Sequence, residues 1–537
     1  MTTAASPGDL LGRPDTVIRG GTIVDGTGRP GRRGDVGIRG DRIVAIAPDL
    51  GETESARLVD ASGCVVAPGF IDVHSHSDLT LVIDPAAASA VAQGVTTELV
   101  GNCGHGCAPI DRPDRHADNI YGFEPGYEIG WRSFAGYLDA VDAARPAVNV
   151  AALVPYGTLR LTAMADAGSP ATTGERATIA ALLEEALEAG AAGLSTGLEY
   201  PIEGVATPAE LEALCRLVAS RDRLYACHTR NKDVRAVEAV GEAVDTAARA
   251  GARLQVSHIV PRPGAPADAL RRSMERVDES RSRGHAVAFD VHTRLFGFTN
   301  LSVALPRWVV DGGPDLIRAV LRDRRDELAG HRSIIDSFGI DGYDGVSIVD
   351  APATPEVAGR SLAELATTTG RSPRDVVFDV LGAHAGRADG PMCIGWSYTV
   401  DQIAAAAVHP ACAPSSDATS FSPDGPLAHH VFHGAFTWAA WYLETMVRER
   451  GVLSIEAAVH RLTGLPAAQI GLSERGTLRV GAHADLAVFD PAAVHATGTF
   501  DRPNRVAQGM RHVLTNGTFA IEDGRPTGSR GGRALRC

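Results

Sequence analysis

Gly69-Phe70-Ile71-Asp72-Val73-His74-Ser75-His76-Ser77-Asp78 is the stretch whose reading decides the fold. It continues an apolar run, Cys64-Val65-Val66-Ala67-Pro68, and ends in two histidines one residue apart. A β-strand alternates its faces with period two, so His74 and His76 at the end of a buried strand point the same way. Two neutral imidazoles on one face make half of a metal site, because imidazole suits zinc and its neighbours.

Downstream, short apolar runs of the same kind end at Leu99-Val100-Gly101-Asn102-Cys103, Val150-Ala151-Ala152-Leu153-Val154 and Gly193-Leu194-Ser195-Thr196. Others follow at Leu224-Tyr225-Ala226-Cys227-His228, Leu254-Gln255-Val256-Ser257-His258, Ala286-Val287-Ala288-Phe289-Asp290 and Ala413-Pro414-Ser415-Ser416-Asp417. Between them, 175–189, 208–220, 234–250 and 267–283 carry apolar residues at nearer 3.6 than 2 spacing, the mark of amphipathic helices. Eight strands alternating with helices predict an α/β fold, a (β/α)8 TIM-type barrel over 67–470. The interval from about 300 to 400 is too long for one connection and has helical patterns at 315–328 and 362–369, which predicts an inserted lid.

At the ends, alternating segments such as Thr16-Val17-Ile18-Arg19 and Arg42-Ile43-Val44-Ala45-Ile46 are answered by Ala484-Asp485-Leu486-Ala487-Val488-Phe489 and Val513-Leu514-Thr515. The expectation is one discontinuous antiparallel β-sandwich, 1–66 with 471–537. The Gly- and Arg-rich tail after Asp523 reads as frayed.

Of 537 residues, 44% are hydrophobic and 22% charged, ordinary for a globular protein, and the net charge is -14. Nucleic acid and anionic membranes need a basic face, so a small molecule is the expected partner; the oligomeric state stays open. No run reaches the ~20 apolar residues of a membrane span, and Met1-Thr2-Thr3-Ala4-Ala5-Ser6-Pro7 lacks the basic and apolar regions of a secretory leader. The expected location is the cytoplasm, with the eight cysteines as reduced thiols.

Five of these strand ends are read as supplying metal ligands: His74 and His76, Cys103, His228, His258 and Asp417. Strand C-termini of a barrel meet at one face, where barrel enzymes keep their chemistry, so the six groups converge. Thiolate is a soft ligand favouring zinc. Cys107, past the turn, reads as structural.

These motifs, together with Ser195-Thr196-Gly197-Leu198-Glu199-Tyr200, His228-Thr229-Arg230 and Ser416-Asp417, make the chain resemble the amidohydrolase superfamily. Within it, Asn102-Cys103-Gly104 with Ser195-Thr196-Gly197-Leu198 is similar to the D-aminoacylase (N-acyl-D-amino-acid deacylase) family over nearly the whole length. That resemblance implies a tight metal site of Cys103, His228 and His258. It further implies that His74, His76 and Asp417 bind a second, weaker metal or line the site. One or two zinc ions, or other divalent metals, are the implied cofactor. The implied reaction is hydrolysis of an N-acyl amide by metal-activated water, with Asp417 as general base and then general acid.

The sequence departs from the family pattern on the substrate side. His292 stands where the family has a Tyr, Val431 where it has an Arg that grips the substrate carboxylate, and Val260 where it has a Lys. Valine cannot reproduce an Arg–carboxylate fork, so the expected substrate departs from standard N-acyl-D-amino acids. Arg294 or Arg262 supplies a displaced clamp or is a surface charge; Tyr200 and His433 complete the substrate-side candidates with His292, Arg294 and Val431. Phe296, Phe298, Phe421, Phe432, Phe436 and Trp438 suggest an apolar pocket. The competing readings are a hydrolase that opens cyclic amides or imides and a catalytically silent barrel that only binds.

Overall fold

The computed structural model describes residues 12–51, 56–124, 126–387, 390–500 and 502–537. The leader reading, which rested on Met1 to Pro7, lies outside the described residues.

Eight parallel strands form the central sheet in chain order: Phe70–Asp72, Val95–Val100, Asn149–Pro155, Gly193–Gly197, Leu224–His228, Arg253–Val256, Val287–His292 and Cys412–Ser415. Parallel strands covered on both faces read as continuous apolar runs, and period two then sorts their side chains. In the third strand Ala151 and Leu153 point into the barrel with Ile71, Val73, Leu99, Leu224, Ala226 and Ala413. Val150, Ala152 and Val154 point outward to the helices. The helices lie within two residues of expectation, at Thr173–Glu188, Pro208–Ser220, Ala236–Ala250 and Ala269–Ser282. The first starts in a capping box of Thr172 with Glu175, and the third ends at Gly251 with φ 72°.

The histidine pair sits beyond the first strand, which stops at Asp72. The Asp72 carboxyl group replaces ladder bonds there, accepting from the His74 amide at 3.2 Å and the Ser416 amide at 3.1 Å. Backbone bonds from Asp417 N to His74 O (2.9 Å) and from His76 N to Ala418 O (2.8 Å) then join the first and eighth strands. The residues that close the barrel therefore carry the candidate ligands.

The segment between the seventh and eighth strands is more than helical. It holds a four-stranded sheet ordered Phe296–Asn300, Met392–Trp396, Val346–Asp350 and Arg360–Ser361, with helices Gly313–Asp323, Leu362–Thr369 and Pro373–His384 and its own apolar core. These strands are short and scattered through the sequence, so period-two patterning does not reveal them.

Both chain ends meet in one hydrogen-bonded sheet of nine strands wrapped around its own core, which includes Ile18, Ile38, Leu486 and Leu514. The sheet is mixed where an antiparallel unit is expected. Thr16–Ile23 pairs in parallel with Arg57–Asp60 and with Val65–Pro68, and Leu486–Phe489 runs antiparallel to Val65–Pro68. The first strand thus collects neighbours from returning connections as well as from its hairpin. Asp485 ties sheet to barrel: its carboxylate accepts from Arg475, from the Asn516 amide at 2.7 Å and from Asn149 Nδ2 at 3.4 Å.

The tail is docked rather than frayed. Val150 N donates to Arg533 O (2.9 Å), Leu535 N to Val150 O (2.8 Å) and Cys537 N to Gly190 O (3.0 Å). A Cβ at Gly532 would lie 2.0 Å from Val148 O, so only glycine permits this approach. Arg536 reaches Asp139 and Asp142 at 2.8 and 2.6 Å. Composition suggested disorder, yet residues 533–537 find backbone and side-chain partners on the barrel floor.

Candidate active site

Cys103 lies in a 3-10 turn just after the second strand, with φ 55°. Gly101 before it (φ 78°) and Gly104 after it (φ 73°) share that left-handed region. Asn102 Nδ2 donates to Leu99 O (2.8 Å) and Ser75 O (3.3 Å), while Ser195 Oγ accepts from Gly104 N (3.1 Å) and donates to Gly101 O. The Asn-Cys-Gly and Ser-Thr-Gly motifs are therefore two halves of one device that aims the Cys103 sulfur inward. His258 (φ 34°) and Asp417 (φ 45°) are also left-handed. Such conformations cost about 1–3 kcal/mol each and persist where surrounding structure enforces them, often at functional sites.

Four side chains converge: one ligand atom each from His74, Cys103, His258 and Asp417, all within 4.8 Å of one another. His74 Nε2 is 3.2 Å from Cys103 Sγ and 3.4 Å from Asp417 Oδ1, and Cys103 Sγ is 3.6 Å from His258 Nε2. On its other side His74 Nδ1 faces Asp290 Oδ1 at 3.3 Å, the carboxylate–imidazole pairing that orients metal-binding histidines. Asp290 also accepts from the His258 amide at 2.7 Å, so one buried carboxylate positions two of the four.

The donor set fits a divalent cation such as zinc, which takes thiolate, imidazole and carboxylate together. Two flanking buried ring nitrogens, His76 Nδ1 and His228 Nδ1, have no partner among the described residues. Burial pushes the Cys103 thiol up, against the pull of His74, so the thiolate is favoured only where a cation takes the proton's place. Burial, reinforced by Lys232, holds His258 well below the usual imidazole range, leaving it neutral as a ligand must be. Burial alone would raise Asp417; Arg294 and His76 outweigh it and keep the carboxyl well below its usual range.

The sequence matches the amidohydrolase family over 57–300 and 338–521. The chain belongs to that family. It is 35% identical over 524 residues to an N-acyl-D-glutamate deacylase of Alcaligenes xylosoxydans xylosoxydans, covering 97% of this chain and 96% of that one. It is 34% identical over 526 residues to a D-aminoacylase of the same organism, covering 97% of each. Among solved structures it resembles an N-acyl-D-glutamate deacylase from Bordetella bronchiseptica, complexed with zinc and a phosphonate mimic of the tetrahedral intermediate. That TM-score is 0.82 at 33% identity, over 98% of this chain and 100% of the other. A D-aminoacylase structure matches with TM-score 0.81 at 30% identity, over 97% of this chain and 100% of the other.

In this amidohydrolase the expected ligands divide. His76 Nε2 stands 3.2 Å from Asp417 Oδ1, beside the cluster. His228, expected in the tight site, points Nε2 at Glu199 Oε2 instead, at 3.0 Å. Glu199 also takes both terminal nitrogens of Arg262. Although burial raises its pKa, Arg262 and His228 lower it further, so Glu199 is ionised and competes for His228. Cys107 is buried outside the cluster, its thiol driven up by burial, as expected of a structural cysteine.

Neither arginine is a free clamp or a surface charge. Arg262 is bound to Glu199; Arg294 donates to Phe296 O (3.1 Å), Ser416 O, Asp417 O (2.9 Å) and Asp417 Oδ2 (2.9 Å). His292 lies beside the cluster, its ring 6.4 Å from that of His258 and 4.8 Å from that of Tyr398, with Nδ1 held 3.1 Å from Arg294 O. His433 is held by Phe500 O at 2.9 Å and packs on Phe296 and Phe298. Phe436 and Trp438 are core residues. Tyr200, Val431, Phe298, Phe421 and Phe432 do line the large cavity, about 1390 Å³, between barrel mouth and insertion.

Sequence reasoning missed Glu199, Lys232, Asp290 and His105. Lys232 Nζ lies 2.6 Å from His258 Nδ1 and 2.7 Å from His258 O; burial and Arg262 pull it down to about 8. A lysine thus reaches the site from the loop after the fifth strand, although Val260 occupies the position expected from the family. His105 packs on Tyr200 at 4.6 Å, and burial lowers it to about 3. Two of them had a signal: Asp290 is a carboxylate at a strand end, like Asp417, and Glu199 lies within the Ser195 to Tyr200 motif.

Proposed function

We propose that this amidohydrolase is a metal-dependent deacylase that hydrolyses a small N-acyl amide whose amine portion lacks the usual free carboxylate. The convergence of His74, Cys103, His258 and Asp417 at the barrel mouth carries the hydrolytic reading. Cys103, His258, His74 and Asp417 would hold zinc, with His76 and His228 close enough to join or to hold a second ion. A bound divalent cation supplies Lewis acidity and lowers the pKa of water in its field to about 7. Asp417 is ionised and fixed by Arg294 through Oδ2, leaving Oδ1 toward His74 and His76. It accepts a proton from water there and returns it to the departing nitrogen. His74 is kept in place by Asp290.

The wall of the adjoining cavity supports the substrate reading. The four cluster residues are not in its described lining, which adjoins them through Tyr121 and Tyr200, whose rings lie 4.5 Å from His76 and 4.8 Å from His228. Its described lining includes the carboxyl groups of Asp118, Glu124, Asp166, Glu203 and Asp350 but one guanidinium, Arg115, which is bonded to Met164 O and Ala165 O. A carboxylate entering there gains no free arginine, and each charged hydrogen bond it forgoes is worth about 1.5–3 kcal/mol. An uncharged or cationic amine portion, with an acyl group on the aromatic wall, fits better.

No described helix is long and apolar enough to cross a membrane, and all eight cysteines are free. Unpaired thiols support a reducing compartment, the cytoplasm.

Asp417→Asn should retain zinc and lose hydrolysis about 10²- to 10⁴-fold, measured as kcat on the best member of a panel of N-acyl amines, N-acyl-D-amino acids and cyclic imides. Full activity in that variant removes the assigned role. Efficient turnover of free N-acyl-D-amino acids by the wild type removes the substrate reading while leaving the deacylase reading intact.

A further inference from the structure

A second group of ligand-type side chains lies outside the barrel cluster. Glu124 Oε2 is 3.1 Å from His429 Nε2 and 2.9 Å from His430 Nε2, and the three ligand atoms fall within 4.8 Å of one another. All three residues line the large cavity. Glu124 follows the second barrel strand and the histidines follow the eighth, so 305 and 306 residues of chain separate partners that face each other. The two segments also touch through Tyr121 and Phe432, whose rings are 6.0 Å apart, and Asn504 Nδ2 anchors His430 O at 2.6 Å.

We infer that Glu124, His429 and His430 form a separate divalent transition-metal site at the rim of the substrate cavity. Two imidazoles and one carboxylate suit zinc, nickel or copper and not magnesium or calcium, which want oxygen. Both Nε2 atoms converge on one oxygen, an arrangement in which two N–H donors share an acceptor; a cation removes those protons and takes all three donors. Side-chain exposures of 28%, 60% and 31% for Glu124, His429 and His430 leave remaining coordination positions to water. The site is thus exchangeable where the barrel cluster is enclosed. An ion there ties the two segments across the rim and narrows the way in, so excess metal raises KM rather than lowering kcat.

The test reads metal binding directly and does not depend on the hydrolytic reading. Full-length protein with its barrel-core zinc in place is titrated with Cu²⁺, following bound metal by calorimetry and ligand nitrogens by electron paramagnetic resonance. The wild type should take one more equivalent, with imidazole nitrogen couplings, than His429→Ala/His430→Ala. Glu124→Gln should weaken it about tenfold or more, about 1.4 kcal/mol. Retained barrel-core zinc and unchanged circular dichroism show that the variants are folded; because the histidines sit on exposed loops, His429→Gln/His430→Gln serves as the second, polar pair. No extra equivalent in the wild type, or the same equivalent and affinity in these variants, overturns the site.

Discussion

Glu199 shows what one side chain decides. It is buried, ionised, and shared between His228 and Arg262. Replacing it by Gln keeps the shape but leaves the Arg262 guanidinium buried without its counter-charge, a loss of about 3–5 kcal/mol. Urea unfolding of Glu199→Gln should show that loss, and Glu199→Gln/Arg262→Met should recover most of it. If the single variant is as stable as wild type, the pair is not holding the loop.

The terminal segment, an element that composition marked for fraying, makes the clearest prediction at the next scale. Residues 531–537 pair with the third barrel strand, cap the floor with Leu535 and pin Arg536 to two aspartates. Removing them uncovers apolar floor and the Val150 and Gly190 backbone groups, far from the strand ends that carry the cluster. Truncation after Arg530 should lower Tm by a few degrees, each kcal/mol being worth about 1 °C in a chain of 537 residues. kcat of the folded fraction should hold. An unchanged Tm would show the docking to be without energetic consequence. The insertion is the opposite case: its sheet brings Phe298 and Met392, and its helix Arg307–Asp311 brings Trp308, to the cavity, so changes there should alter substrate choice before stability.

Across the whole molecule, buried carboxyl groups link stability to pH. Burial raises Glu203 to about 8, against the pull of the Gly197 amide, and raises Asp72 to about 8 and Asp78 to about 7. Folded values above the unfolded ones mean that the native state binds the extra protons. Stability from these groups is complete below about pH 4, falls as pH rises from there, and is fully lost once pH has passed through the folded values of about 7 to 8. Each fully shifted group contributes a slope approaching about 1.4 kcal/mol per pH unit in that window. Unfolding free energies from pH 5 to 9 should fall more steeply for wild type than for Glu203→Gln, which titrates one group fewer. Parallel curves would mean that Glu203 is ionised in the folded protein.

The barrel was legible because its information is local. Strands buried on both faces must be continuous apolar runs, and a ligand-type residue at the end of such a run lands on the same face as its counterparts. Strand-end position singled out His74, His76, Cys103, His228, His258 and Asp417 together, and four of them, His74, Cys103, His258 and Asp417, come within 4.8 Å of one another. What lay beyond the sequence was every choice made by pairing across distance. Whether His228 turns to the cluster or to Glu199, and whether Arg294 meets substrate or Asp417, depends on which buried charge stands nearest in space. The same holds for the mixed pairing of the terminal sheet, the sheet inside the insertion and the docking of a tail whose composition argues for disorder. Local patterns specify which face a side chain takes; only the assembled fold brings buried charges close enough to choose their partners.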